Sequence, residues 1–494
     1  MQFLIEQIKR KEEVRAALSQ LKQCLKEDGV VQEFLQSADH DIGFLYECLK
    51  NEDAKTRKNA AGVLEKLAVQ EALDPLYQAW LTENTLFVNS SYLKAMAALD
   101  CREYLLDFND RLEQLETMEI PEEEKKHRRE EVRALQKILV QSRGIDTHEF
   151  IENKMPVTVL LTVHKGYGPL LCRQFKEGTA KVVPLGVVAR ISNFKKLQKI
   201  RFWKELLIPV KISDKAPAEP DILAELLADS NILKFLKEYH KGGDRYYFRM
   251  DIIGNLPQDS KNDLIKKTAV RLEEKSGHRL VNSASDYEIE IRLFRTKDGF
   301  FLPFLHLGTI PDERFAYRRK ILSTAMNPVQ AALLAELSKP YLKPQAQVLD
   351  PFCGAGILLI ERQKAVAAKV LFGTDTFGEA VLTARENTKA AGISANYMNR
   401  NFFDFTHKSL FDEIITEFPE QLDGKREELD RLYERFFEKC TQLLTKNGRL
   451  FLVSKEEGRI KKQMRLTKKY RLLQEHMLRE KSGLKLFIIE RKEE

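Results

Sequence analysis

Val348 to Glu361 reads VLDPFCGAGILLIE: a short apolar run, an Asp, a loop with two glycines two apart, then a second apolar run. That order is strand, tight loop, helix. In an open parallel sheet it places a ligand site beyond the carboxyl end of the first strand. From Phe315 onward strand-like runs alternate with helical patterns: QVLD, KVLFGTD, a short run near Tyr397, FDEIIT and GRLFLVS, then YRLLQEHML and GLKLFIIER as a closing pair. The alternation predicts a doubly wound α/β domain over residues 315–494 with helices on both faces of a six- or seven-stranded sheet. The closing pair separates it from a plain dinucleotide-binding fold, which would continue with another parallel unit.

The chemistry of that loop follows from its residue types. Gly354 and Gly356 leave the backbone without side chains, so a ligand can lie against amides at the helix start. Asp350 closes the first strand and can order the loop or meet a cationic ligand. Asp375 ends the next strand in LFGTD, where a carboxylate can accept both hydroxyls of a ribose. Asp404 follows the third strand in NFFDF, in position for an adenine amine. Three acids at three successive strand ends fit an adenosine ligand that carries no phosphate.

The 494 residues exceed what one core usually organises, so further domains are expected. Up to about residue 145 the patterns are helical. DAKTRKNAAGVLEKLA places Ala60, Ala61, Val63, Leu64 and Leu67 on one stripe behind a capping Asp53, and TLFVNSSYLKAMAALD repeats the stripe about 32 residues on with Tyr92, Leu93, Ala95, Met96 and Leu99. The Asp53, Arg57, Ala60, Ala61 arrangement resembles a HEAT or armadillo repeat, which stacks helix pairs into an interaction surface. An irregular helical bundle is the alternative. EIPEEEKKHRREEVRALQKILV then reads as a solvated, charged helix leading to the next domain. Residues 155–310 change texture to an α+β module with strands in VTVLLTV, DRYYFRMDII and DYEIEIRLFRTKDGFFLPFLHLG around the helix SKNDLIKKTAVRLEEKSG.

No stretch approaches the roughly eighteen apolar residues of a membrane span, and MQFLIEQIKRKEE turns charged before a signal-peptide core develops. A cytoplasmic location without membrane partners is expected. Six cysteines are scattered without a C-x-x-C pair or a histidine at metal-ligand spacing, so reduced thiols and no metal site are expected. A net charge of +7 permits a nucleic-acid partner without requiring one.

DPFCGAGILLIE, FGTDTFGEAVLTARENTKAAGI, NFFDF and FDEIITEFPE, taken in order, resemble class I S-adenosylmethionine-dependent methyltransferases. Specifically, they resemble the RNA methyltransferases whose usual first motif is D-P-[FM]-C-G-[ST]-G-T. The segment FAYRRKILSTAMNPVQAALLAELS is similar to the piece that precedes the first strand in that family, with Asn327 and Pro328 lying over the cofactor. The layout of residues 155–308 is similar to the ferredoxin-like and THUMP module with which these enzymes hold structured RNA. The resemblance spans Met155 to the C-terminus and implies S-adenosylmethionine as cofactor. It assigns the cofactor to Asp350, Pro351, Cys353, Gly354 and Gly356, the ribose to Asp375, the adenine to Asp404, and structured RNA (tRNA or rRNA) as substrate. Cys353 packs under the loop in the family, so a nucleophilic role is not implied.

The fourth-strand loop departs from the family. Members that methylate a base amine carry N-P-P-[YF], in which Asn and a Pro carbonyl orient the amine and the aromatic stacks on the base. Here the loop is TEFPEQ. Glu417 replaces Asn, Phe418 the first Pro and Glu420 the aromatic, and Pro419 alone is kept. Glu417 can accept an amine proton and Phe418 can supply the stacking ring, which makes Glu417, Phe418 and Pro419 the candidate catalytic loop. The alternative is an inactive relative that keeps the fold as an RNA-binding or scaffold protein. Basic residues in RFAYRRK, FKKLQKIRFWK and GRIKKQMRLTKKYR, with Phe194, Phe202, Trp203 and Tyr470 among them, suggest phosphate contact. A protein partner is expected for the helical N-terminus.

Overall fold

The N-terminal apolar stripes form helices. In the computed structural model, which describes residues 1–27, 29–118, 121–145, 147–152, 155–322, 325–419 and 426–493, they run as α1 (Gln2–Lys9), α2 (Val14–Cys24), α3 (Val30–Ser37), α4 (Gly43–Cys48), α5 (Ala54–Leu67), α6 (Leu73–Thr82), α7 (Leu86–Met96), α8 (Leu105–Thr117) and α9 (Lys125–Arg143). The Asp53 carboxylate accepts the N–H groups of Lys55 and Thr56 and so caps α5. The predicted stripe of α5 is buried along its length. In α7, Tyr92, Leu93, Ala95 and Met96 are buried, but the helix ends at Met96 and leaves Leu99 beyond it.

Helices α2, α5, α7 and α9 pack in series, and α4, α6 and α8 each pack on the helix that follows them. Hydrogen bonds bind neighbouring pairs at a constant offset of 30 residues: Tyr77 to Asp107, Tyr104 to Asp74, and Gln70 to Asp100. α9 is not the solvated connector that its charges suggest. Val132, Leu135, Ile138 and Leu139 are buried in the same core as α5 and α7, because its apolar residues recur at helical spacing beneath the charged ones.

This helical part, Met1–Asp146, is one compact unit, and Thr147–Glu494 is the other. The second unit begins with strands β1 (Glu149–Phe150), β2 (Val157–Thr162), β3 (Ala180–Val183), β4 (Gly186–Ile191), β5 (Leu206–Pro209), β6 (His240–Lys241), β7 (Tyr246–Ile253), β8 (Leu280–Asn282), β9 (Ile289–Arg295) and β10 (Phe301–Leu307). Eight of them form one sheet in the order β3-β4-β2-β5-β10-β9-β7-β8, and β1 pairs with β6. Between them lie α10 (Gly168–Cys172), α11 (Phe194–Leu197), α12 (Pro220–Ala228), α13 (Ile232–Tyr239) and α14 (Gln258–Lys275). One hydrophobic core runs from this module into the next domain, from Val157 through Leu293 to Val348 and Ile488. The change near residue 310 is therefore a change of sheet without a gap in packing.

The last domain holds α15 (Pro328–Ser338), β11 (Gln347–Asp350), α16 (Ile357–Ala365), β12 (Val370–Asp375), α17 (Gly378–Ala390), β13 (Asn396–Asn399), β14 (Phe411–Glu417), α18 (Arg426–Leu443), β15 (Leu444–Ser454), α19 (Glu457–Thr467), β16 (Tyr470–Arg479) and β17 (Leu484–Arg491). Its seven strands take the order β13-β12-β11-β14-β15-β17-β16. β17 runs antiparallel between β15 and β16, which is the closing pair expected from the sequence. The strand order reverses between β11 and β14, so the switch point where ligands bind falls at the Gly354 loop. Among the described residues no helix is long and apolar enough to cross a membrane, and no cluster of His, Cys, Asp and Glu is placed to hold a metal ion.

Candidate cofactor and transfer site

The loop after β11 is built from both directions. Asp350 is 2% exposed and accepts the Thr416 hydroxyl at 2.7 Å and the Phe352 N–H at 3.1 Å. Burial, with Asp375 and Glu417 adding repulsion against those two hydrogen bonds, pushes its carboxyl up to about 7. The Pro351 carbonyl accepts the Thr374 hydroxyl at 2.9 Å. Cys353 is buried, and burial raises its thiol far from the thiolate form, so it supports the loop from beneath and offers no nucleophile.

The two glycines do different work. At Gly354, φ is +49° and an added Cβ would meet nothing within 4 Å, so this position faces open space. At Gly356, φ is +76° and a Cβ would come within 2.6 Å of Tyr397 Oη and 3.1 Å of Ala384. Only Gly354 presents bare backbone to a ligand. Gly356 is needed for α16 to sit close to α17 and β13.

Asp375 is held by the same loop. Its Oδ2 accepts the Gly354 N–H at 2.9 Å and its Oδ1 the Phe377 N–H at 2.9 Å, which leaves further lone pairs on both oxygens for hydroxyl donors. Phe377, two residues on, is 53% exposed. Sequence reasoning missed this ring; the signal is an aromatic at the N-cap of the helix that follows a strand-end acid. Asp404 lies exposed in the turn after β13. Asn327 caps α15 by accepting the Val329 N–H at 2.9 Å; among the described contacts, none joins its side chain to the Gly354 loop.

The fourth-strand loop is only partly as expected. Glu417 ends β14 half-buried, next in the sheet to the Asp350 strand, and Pro419 is exposed. Phe418 is not a free stacking surface. It is 4% exposed, stacks on Tyr433 with centroids 4.2 Å apart and meets Phe352 and Phe436 edge-on. Its N–H donates to the Val453 carbonyl, so the β pairing continues one residue past Glu417 and alternation turns the ring into the core. Glu420 lies outside the described residues.

Single members of two basic runs, Arg314 and Arg201, are consumed internally, while Lys195, Lys196, Lys199, Lys204, Arg319 and Lys320 are exposed. Arg314 is buried, lies 3.1 Å over the Trp203 ring centre and donates to the Trp203 and Arg201 carbonyls. Arg201 makes a two-pronged pair with Glu361 of α16 at 2.7 Å, and the Tyr317 hydroxyl donates to the same carboxylate. These contacts fasten the eight-stranded module to α16, the helix that follows the Gly354 loop. In the C-terminal run, Arg459 and Lys462 pair with Asp430, Lys461 with Glu457, and Arg471 with Glu490. Phe194, Phe202, Trp203 and Tyr470 are all core residues. That run is chiefly an ion-paired face.

Residues 324–482 match the family model of the methyltransferase small domain. The C-terminal domain has the class I methyltransferase fold. TrmN from Thermus thermophilus matches at a TM-score of 0.50 and 18% identity, over 68% of this chain and 99% of that one. The SMU.472 protein complexed with SAH matches at 0.50 and 15% identity, over 69% and 99%. A match of that extent exceeds what residues 315–494 alone can supply, so the shared fold continues into the eight-stranded module. In sequence, the ribosomal protein L11 methyltransferase of Thermotoga maritima is 27% identical over 199 residues, 38% of this chain. The chain spans 65% of the length of that curated relative.

S-adenosylmethionine is the cofactor this domain implies, and the residues fit it. Asp350, Asp375 and Glu417 end three adjacent strands, β11, β12 and β14, and Asp375 accepts the Gly354 N–H. Such a ring of carboxylates suits a ligand carrying an ammonium, a sulfonium and ribose hydroxyls.

Proposed function

We propose that the protein is an S-adenosylmethionine-dependent methyltransferase that acts on an exocyclic base amine of structured RNA. The carrying observation is the triad of carboxylates on adjacent strand ends around the Gly354 loop. It attracts a cationic adenosine ligand and repels a phosphorylated one. When bound, the cofactor supplies an electrophilic methyl group on its sulfonium. Asp350 meets the ammonium, Asp375 takes the ribose hydroxyls, and the Phe377 ring offers a flat apolar face to the adenine beside Asp404. Glu417 accepts a proton of the target amine and so turns its lone pair toward the methyl. With Phe418 in the core, the stacking surface for the base comes from elsewhere. The α+β module, in the role of a THUMP-like holder, carries the RNA. The helical unit, read as a HEAT-like repeat, supplies an interaction surface.

The sequence match to a ribosomal protein methyltransferase favours a second reading, in which the amine belongs to a ribosomal protein. Calorimetry with S-adenosylhomocysteine, followed by transfer of labelled methyl from S-adenosylmethionine to total RNA and to ribosomal proteins, tests both. Label in RNA nucleosides supports the first reading and label in protein the second. Bound cofactor with no transfer to either leaves the non-catalytic RNA-binding reading. A folded protein that binds no cofactor overturns the assignment. Glu417→Ala removes one carboxylate of the triad and should weaken cofactor binding modestly, while transfer at saturating cofactor should fall by on the order of a hundredfold; unchanged turnover at saturating cofactor would show that another group orients the amine.

A further inference from the structure

The helical unit sorts its charge by layer. In the inner series, α2 and α7 carry bases and no acid, α5 carries Lys55, Arg57, Lys58 and Lys66 against Glu65, and α9 carries Lys and Arg in excess of Glu130 and Glu131. The outer helices reverse this: Glu47, Asp74, Asp107 and Asp110 are among the acids of α4, α6 and α8, and Arg111 is their one base. Two charges of the inner series are neutralised in ion pairs, Arg57 with Glu83 and Glu131 with Arg111.

On the inner side lies a cavity of about 1030 Å³ lined by Arg15, Lys55, Lys58, His127 and Phe87, with Glu13 the one acid of its lining. Arg15, Lys55 and Lys58 are exposed. Lys58 Nζ stands 5.6 Å from the Phe87 ring centre and the His127 ring 5.9 Å from it. Further along the same layer, burial lowers the Lys22 ammonium, and Lys58, Lys66 and Lys26 press the same way against Glu65.

We infer that this inner groove binds the phosphate backbone of RNA. The inference rests on the RNA reading above and adds a second RNA-engaging surface, on the unit for which sequence alone suggests a protein partner. A row of cations across successive helices matches the regular charge of a nucleic-acid strand. An aromatic ring with a lysine ammonium beside it matches a base next to its phosphate. An acidic protein would use the same charges but has no need of the ring.

The test uses the full chain, a fluorescein-labelled RNA hairpin as probe, and polyglutamate as competitor. Arg15→Glu, Lys55→Glu and Lys58→Glu combined should weaken hairpin binding tenfold or more and lower the slope of log affinity against log salt by about 2 to 3. Binding of S-adenosylhomocysteine by calorimetry should be unchanged, and the milder Arg15→Gln, Lys55→Gln, Lys58→Gln protein should lose an intermediate amount. Wild-type affinity and slope in both variants would overturn the groove while leaving the RNA reading intact. A wild type that binds cofactor but no RNA would overturn both. Polyglutamate that displaces the hairpin at equal charge concentration would overturn the groove as an RNA site in favour of an acidic protein partner.

Discussion

Gly354 and Gly356 stand two apart in one loop and answer to different constraints. Both adopt a left-handed backbone, but only Gly356 has Tyr397 and Ala384 where a side chain would go. Gly356→Ala should therefore lower stability by about 2–4 kcal/mol, left-handed strain and overpacking together, and show as a depressed unfolding midpoint. Gly354→Ala should cost about 1 kcal/mol and show instead as weaker cofactor binding by calorimetry. The sequence makes the pair visible as a motif and cannot divide its labour, because the division depends on which neighbour each Cα meets. Phe418 illustrates the same limit, since its burial depends on how far β14 stays paired with Val453. Asp350 gives a pH prediction at this scale. Its buried carboxyl is raised to about 7, so the free protein holds the proton below that pH, whereas a cationic ligand prefers the carboxylate. Cofactor affinity should fall as pH drops through about 7, with proton release on binding near that pH. The stability of the ligand-free protein runs the other way: the contribution of this group is present at low pH and lost as pH rises through about 7. Asp350→Asn should flatten both profiles; an unchanged binding profile would show that Asp350 is not the titrating group.

At the scale of elements, most of the seven strands of the last domain were legible because they are apolar runs bounded by turn residues, and β11 coincides with QVLD. Their order was legible only through the motif, since periodicity does not say which strands are neighbours. α9 misled because charges crowd its first half, whereas Val132, Leu135, Ile138 and Leu139 of its second half are buried. Least visible of all was Arg362, which the helical pattern treats as an ordinary surface base. It is 0% exposed and pairs with Glu413 of β14, also 0% exposed, at 2.8 Å, and donates to the Lys343 carbonyl at 2.9 Å. Burial raises the Glu413 carboxyl against the opposing pull of Arg362. The pair ties α16, the helix that follows the Gly354 loop, to the strand that ends in Glu417. Removing one partner leaves an uncompensated buried charge, so Glu413→Ala should destabilise by about 3–5 kcal/mol. Urea unfolding of that variant beside an Arg362→Met, Glu413→Leu double replacement separates the explanations: recovery in the double variant is expected if the isolated charge is the cause.

At the scale of the whole molecule, the described cores divide by unit. One contains residues from Leu4 to Leu139 only, and those around the candidate site begin at Val157. Among the described residues, no buried apolar residue of the helical unit belongs to the cores that hold β11, β12 and β14 in place. Deleting residues 1–146 should therefore leave a folded protein that binds S-adenosylhomocysteine with wild-type affinity. RNA should respond differently. If the inner groove of the helices contributes phosphate contacts in addition to the α+β module, the deletion weakens hairpin binding and flattens its salt dependence, each lost contact removing about 0.9 from the slope on a duplex or about 0.7 on a single strand. Calorimetry and salt-titrated anisotropy on the same deletion protein read the two effects separately. Lost cofactor binding in a folded deletion protein would mean that the helical unit shapes the site, and an unchanged RNA slope would assign all phosphate contacts to the residues from Thr147 onward.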